Sequence, residues 1–571
     1  MSTIPRWGAA LAVALLLTLA ACSRLPGLST PVALQPTAAP TALPTRAPAA
    51  APTRAPTTAP TTAPTTLPTR APTAAPTALP TRVPAAAPTG AAAAPTPASL
   101  AAVVRQPTTP MTKAAQGDLA SLGALPRYTL DLTVDPFNET YTGRQTVVYT
   151  NTDKTPLADM VFRVFPNSCP LYGCGALTVD SVRVGGAAVT PKSELDNTAI
   201  RFALPKPVPP GGKVEVDVEF SGRIARDFGP NQQGYGINNF DDNRQIMMLA
   251  NAYPIVAVRD NGRWVADAVY SDGDAVFSPS AFYDVTLHVP GGWNPVATGV
   301  VTAESGTDTQ RTVRYTTGPV RDFMIAMAPG WQRVSRQVGD TVINSYYVGD
   351  TRVAAEKALD VAAESFQVYT KRIGPYPFTQ LDIVPAPLHR AAGVEYPGVI
   401  LVERNFYDKP NEPFFETATA HEVAHQWFYS VVGNDVIANP WLDESFAQYL
   451  TALYFQDRYG QERFDREIQG WQRTVDQMVQ KGQDDIVGAG LPHFKGNDRY
   501  AVTIYIKGPL FLDALRQRVG DEKFFAGLQE YYRRNKYGIA TPDGFLKVMQ
   551  EVSGQNLQDL YDHWITKAEG R

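Results

Sequence analysis

Between Ser23 and about Gln116 the chain is written almost wholly in Ala, Pro and Thr, in variations on Ala-Pro-Thr and Leu-Pro-Thr-Arg-Ala-Pro. Of the 49 prolines, 21 crowd the first fifth of the sequence, and no acidic residue occurs before Asp118. A stretch so poor in large apolar side chains cannot bury enough surface to offset the entropy of ordering, and its prolines favour extended polyproline II segments. At ~3.1 Å per residue, about 90 such residues reach at most about 300 Å. The tract, residues 23–120, reads as a linker, and packed structure is expected only beyond it.

What precedes the tract reads as a processing signal, residues 1–22. Arg6 comes before an apolar run, Ala9 to Ala21, too short to span a bilayer comfortably. The run closes on Leu19-Ala20-Ala21-Cys22, small residues before a cysteine, which resembles the bacterial lipobox. That resemblance implies lipidation of Cys22 and an extracytoplasmic protein held to the cell membrane by its N-terminal lipid. The linker arginines Arg46, Arg54, Arg70 and Arg82 offer charge to anionic cell-wall polymers. A net charge of -4 with near-equal acidic and basic counts leaves no electrostatic footprint for nucleic acid. The other two cysteines, Cys169 and Cys174, bracket Pro-Leu-Tyr-Gly, and in an oxidising compartment they can form a small disulfide.

Alternating apolar and polar residues at Tyr128–Val134, Val214–Phe220 and Tyr283–Val289, separated by turns such as Pro209-Pro-Gly-Gly212, predict an all-β, sandwich-like domain over 125–340. His288 falls at a polar strand position and reads as a solvated side chain. The period changes after about Asp350. Val353–Arg372 predicts an amphipathic helix stopped by Gly374-Pro375, Leu381–Val384 a strand, and Thr541-Pro542 with Gly554 the two ends of a late helix. A mainly α second domain over 350–571 follows.

That domain carries His421-Glu422-Val423-Ala424-His425, although the chain has only six histidines. Positions i and i+4 lie on one helix face, so both imidazoles can converge on one ion, and histidine nitrogen suits zinc. Glu422 adjoins the first ligand and can reach a water there. Glu444 follows His425 with 18 residues intervening, within Trp441-Leu-Asp-Glu-Ser-Phe-Ala, and Gly433-Asn434 lies between the two helical patterns. In these features the sequence resembles the aminopeptidase N family of gluzincins, with a thermolysin-like catalytic domain.

The resemblance implies one zinc per chain, held by His421, His425 and Glu444, with Glu422 as general base. Ala392-Gly393-Val394-Glu395-Tyr396 is similar to that family's Gly-x-Met-Glu-Asn segment, which implies a substrate-binding strand at Gly393 and a carboxylate at Glu395 facing the substrate's α-ammonium. Tyr505, ahead of Lys507-Gly508, resembles the family's Tyr-x-Lys-Gly and by that match donates to the oxyanion. Tyr500 lines the same wall or simply packs there. The large helical C-terminal domain of long family members has no counterpart after Tyr505. The leading reading is a zinc aminopeptidase acting on peptides outside the cell. Val394 and Tyr396, which depart from the family segment, leave room for an endopeptidase or another zinc hydrolase on the same scaffold. A non-catalytic surface protein with a vestigial zinc site is the reading from a different class.

Overall fold

A computed structural model describes residues 104–172, 176–226, 237–239 and 245–569. Expectations for the signal segment, Cys22, the linker to 103 and Cys174 concern residues outside these. Cys169 is disulfide-bonded.

The three alternating stretches form the strands Arg127–Asp135, Lys213–Arg223 and Phe282–Pro290, all within one eight-stranded sheet. Arg127–Asp135 pairs antiparallel with Thr140–Thr150 and parallel with Phe282–Pro290, setting Tyr128 opposite Tyr283. Tyr128, Leu130, Leu132 and Val134 all point to the buried face, as a period of two requires. His288 lies on the other face, beside Thr312 and Asp131. The buried face is covered by sequence of a different kind. Ile246–Ala250 and Met324–Pro329 are continuous apolar strands of a five-stranded sheet, buried on both faces apart from Pro329. Within the eight-stranded sheet the Tyr128 ring stacks 4.7 Å from Tyr283, and its hydroxyl accepts from the Val256 amide of a separate four-stranded sheet at 2.9 Å.

The catalytic region is built on another five-stranded sheet, ordered Gln332–Val338, Thr341–Tyr347, Gln380–Ala386, Val399–Glu403, Gly393–Val394. Thr341–Tyr347, the helix Arg352–Arg372 and Gln380–Ala386 make a parallel crossover. The hairpin 332–347 therefore belongs with the second domain, although sequence period placed the change near 350. A parallel crossover needs a strand before its helix, and that strand looks like any other β sequence. The late helix runs Pro542–Ser553 with both ends as read: Thr541 Oγ1 accepts from the Gly544 amide, and Gly554 closes it at φ 69°. No helix among the described residues is long and apolar enough to cross a membrane.

The linker expectation needs correcting at its far end. Residues 104–120 are packed against the catalytic region. Met111 bridges Phe378, the Thr112 amide donates to Pro377 O at 2.9 Å, Gln106 and Asn344 exchange two amide hydrogen bonds, and Asp118 pairs with Lys536 at 3.0 Å. Every one of these partners lies more than 200 residues away, so composition alone could not show the order. Met111 is buried, with Gly318 leaving room beside it. Met111→Ala is expected to lower the denaturant midpoint by the equivalent of about 2–3 kcal/mol, read by fluorescence-detected unfolding.

Candidate metal centre and active site

Two helices meet at the site. Pro413–Ala424 opens on proline, whose fixed φ suits a first helical turn, and His425 caps its end. Trp441–Tyr459 brings Glu444 in its first turn. His421 Nε2 and His425 Nε2 lie 3.1 Å apart, and Glu444 Oε2 lies 3.1 and 3.2 Å from them. His425 Nδ1 donates to Phe428 O at 3.0 Å, which leaves Nε2 bare. A bare nitrogen facing a carboxylate and a second imidazole nitrogen is favourable only around a cation. A tetrahedral centre with bonds of about 2.0–2.1 Å has donor–donor edges near ~3.3 Å, close to the triangle seen. Two histidines and one glutamate, all buried, are a donor set for catalytic zinc that leaves a fourth position open.

Around this triangle stands a ring of acids. Glu422 is buried, and one of its oxygens has no hydrogen-bond partner. Its other oxygen rests against Gly393, where a Cβ would come within 2.3 Å. Burial pushes the Glu422 carboxyl up to about 8, with Glu444 and Asp274 adding to the rise. Ligand atoms of Glu395, Glu422 and His425 lie within 4.8 Å of one another. They are no independent metal centre, because the one bare nitrogen of His425 is already in the first triangle. Glu395 is instead hydrogen-bonded to Asp274, a half-buried residue on a loop of the β domain that sequence reasoning passed over. Burial, then the Glu444 charge, push the Asp274 carboxyl up to about 7, and burial, then Asp274, raise Glu395. No motif marks Asp274; only folding brings its loop to the cleft, where Gly273, at φ +70°, leaves room for Leu491 and Tyr500.

Tyr505 sits in a π-helical turn, Thr503–Lys507. Such turns release backbone groups from the helix ladder and recur at functional sites. Here the freed Ile504 carbonyl accepts from Ser445 Oγ at 2.6 Å, and the Tyr505 hydroxyl donates to Glu444 Oε1. The Tyr505 ring lies along that of His421, centroids 5.8 Å apart. Gly508 lets the two helices approach, since a Cβ there would meet Ser445 Oγ at 1.9 Å. Lys507 points the other way, into a buried ion pair with Asp484 at 2.8 Å that is closed by the carbonyls of Asp485 and Lys567. The two residues that follow Ile506 are thus structural supports for Tyr505. Tyr500 is buried and edge-on to it at 5.9 Å. His493 pairs with Asp485 and His563 with Glu569, and neither belongs to the triangle. His389 is half-buried at φ +60°, its amide donating to Glu403.

Fold and site define a gluzincin-type zinc centre on a two-domain scaffold. Residues 357–564 match the peptidase family M1 domain. The chain is 26% identical over 309 residues to Aminopeptidase M1-B of Oryza sativa subsp. japonica, covering 51% of this chain and 34% of that protein. It is 26% identical over 234 residues to Aminopeptidase N of Streptomyces lividans, covering 38% and 26%. The chain thus spans about a third or less of the length of these relatives. The crystal structure of an M1 zinc metallopeptidase from Deinococcus radiodurans shares the fold, with a TM-score of 0.57 at 19% identity, over 78% of this chain and 94% of that one. Residues 357–564 are thus similar to the domain of the M1 peptidases, the aminopeptidase N family of gluzincins, and the fold is shared with an M1 zinc metallopeptidase.

Gly393→Ala is expected to retain zinc at one per chain and to lose at least about 100-fold in turnover, because the new methyl displaces the Glu422 carboxylate. Metal analysis beside steady-state kinetics checks both halves.

Proposed function

We propose that the protein is a zinc aminopeptidase that removes N-terminal residues from peptides outside the cell, tethered to the membrane through a lipid on Cys22. The observation that carries the exopeptidase reading is the hydrogen-bonded pair Glu395–Asp274 beside the metal triangle. Two carboxyl groups sharing one hydrogen bond are acid-rich and short of cations, and a substrate α-ammonium supplies the missing positive charge through charge-assisted contacts. Val394 and Tyr396, where the segment departs from the family pattern, are both buried, and the Tyr396 carbonyl accepts from Gln426. The names of the related rice and Streptomyces proteins point the same way.

Zinc, when bound, supplies Lewis-acid polarisation of the scissile carbonyl and makes water more acidic. Glu422 accepts the water proton on its unpartnered oxygen and passes it to the leaving amine. Burial raises the Glu422 carboxyl and so makes it a stronger base toward that proton than an exposed glutamate. Tyr505 turns its hydroxyl from Glu444 to the developing oxyanion, a neutral donor that burial keeps protonated. Glu395 and Asp274 hold the substrate N-terminus and so set which bond reaches the metal.

The lipid anchor rests on Leu19-Ala20-Ala21-Cys22 and on the Ala/Pro/Thr tract behind it. Contact of that tract's arginines with anionic wall polymers is the accompanying expectation. Cys22→Ala should move the protein from the membrane to the soluble fraction on cell fractionation.

A panel of aminoacyl fluorogenic substrates, free and N-acetylated, with and without a zinc chelator, tests the activity. Hydrolysis confined to free amines and abolished by the chelator is expected. Equal cleavage of acetylated peptides would point to an endopeptidase instead. Glu422→Gln should bind zinc normally and lose about 10³-fold or more in kcat, whereas Glu395→Ala should lose discrimination between free and blocked substrates.

A further inference from the structure

Directly after the metal helix the backbone does something costly. Tyr429 adopts φ +129°, in the left-handed half of conformational space that favours glycine. Three contacts hold it there. Its amide donates to Val432 O at 2.9 Å, its carbonyl accepts from Arg321 Nε at 2.6 Å, and its hydroxyl donates to Asp322 Oδ2 at 2.9 Å. Two of the three come from one loop of the β domain. Arg321 is buried and also donates to the carbonyls of Ser278 and Gly538. Gly433 is obligatory under it, since a Cβ there would fall 1.8 Å from the guanidinium carbon. Asp322 is fully buried and reaches Asn251, whose amide oxygen accepts from Tyr172.

The residue before Tyr429 is Phe428, and its carbonyl is the acceptor for His425 Nδ1. The direction of that carbonyl depends on the peptide plane it shares with the Tyr429 nitrogen, and so on the conformation imposed at Tyr429. A glycine would adopt this φ without strain. Keeping a tyrosine here makes physical sense if its side chain does the holding.

We infer that Arg321 and Asp322 are positioning residues for the metal centre: from the β domain they lock Tyr429, and through the Phe428 carbonyl they aim the bare nitrogen of His425 into the zinc triangle. The β domain is then a working part of the metal site and not only a neighbour of it. This rests on the zinc centre alone and is independent of which peptides are cleaved.

Zinc affinity of the full-length protein, measured by competition with a chromophoric chelator, is the test, with apo-protein thermal unfolding alongside. Tyr429→Gly relaxes the backbone but removes the hydroxyl anchor, and it is expected to weaken zinc binding about 10- to 100-fold, the range for outer-sphere partners of metal-bound histidine. Tyr429→Phe should fall in the same direction. Asp322→Asn, which still accepts from the tyrosine hydroxyl, should restore affinity to within about threefold of the native protein, whereas Asp322→Leu should not. Cobalt substituted for zinc should show shifted visible d–d bands in Tyr429→Gly and native bands in Asp322→Asn. A folded Tyr429→Gly protein that binds zinc as tightly as the native one, or more tightly, overturns the inference. So does a Tyr429→Phe protein with native affinity, should the glycine variant fail to fold.

Discussion

Three lone pairs pointing at one another, from His421, His425 and Glu444, form the constraint around which the rest of the catalytic region is arranged. With both imidazoles neutral such an arrangement is repulsive without a cation, so the fold must then hold the three groups against their own electrostatics. It does so by anchoring each from behind. His425 is tied through Nδ1 to Phe428 O, Glu444 accepts from Tyr505, and the His421 ring is covered by the Tyr505 ring. The groups that support the metal are thereby also groups poised to act on a substrate, and Tyr505 belongs to both sets.

The acids around the triangle have different partners and so different uses. Glu444 faces two imidazoles. Glu422, buried, rests against a glycine that leaves no side chain in its way. Glu395 faces another acid. Residue type is the same in all three cases, and only the neighbours decide whether a carboxylate holds a metal, moves a proton or waits for an ammonium group. The β domain contributes to two of these assignments, with Asp274 against Glu395 and the Arg321–Asp322 loop beneath Tyr429.

Local patterns carried much of this. Alternation at Tyr128–Val134 and its counterparts showed the first sheet, because a strand with one face buried must write itself with a period of two. Thr541-Pro542 and Gly554 showed a helix by its ends, because caps are satisfied by residues next door. The strands Ile246–Ala250 and Met324–Pro329, buried apart from Pro329, carried no alternation to read, and the strap at 104–120 resembled the tract before it. Asp274, Arg321 and Asp322 had no motif at all. Their partners at the site, Glu395 and Tyr429, lie more than a hundred residues away, and nothing in the intervening sequence encodes the distance.

By itself, then, the sequence determined the chemistry available: two histidines on one helix face, a glutamate at the right separation, a base beside them, and a long stretch that cannot pack. These follow from spacing along a helix and from composition, both of which are local quantities. Tertiary structure alone decided what each of those groups faces. It set Glu422 against Gly393, joined Glu395 to an acid from the other domain, and bent Tyr429 into a conformation that the sequence would have assigned to glycine. Such assignments depend on long-range packing, where burial and neighbouring charge are set by residues that meet only when the chain has folded.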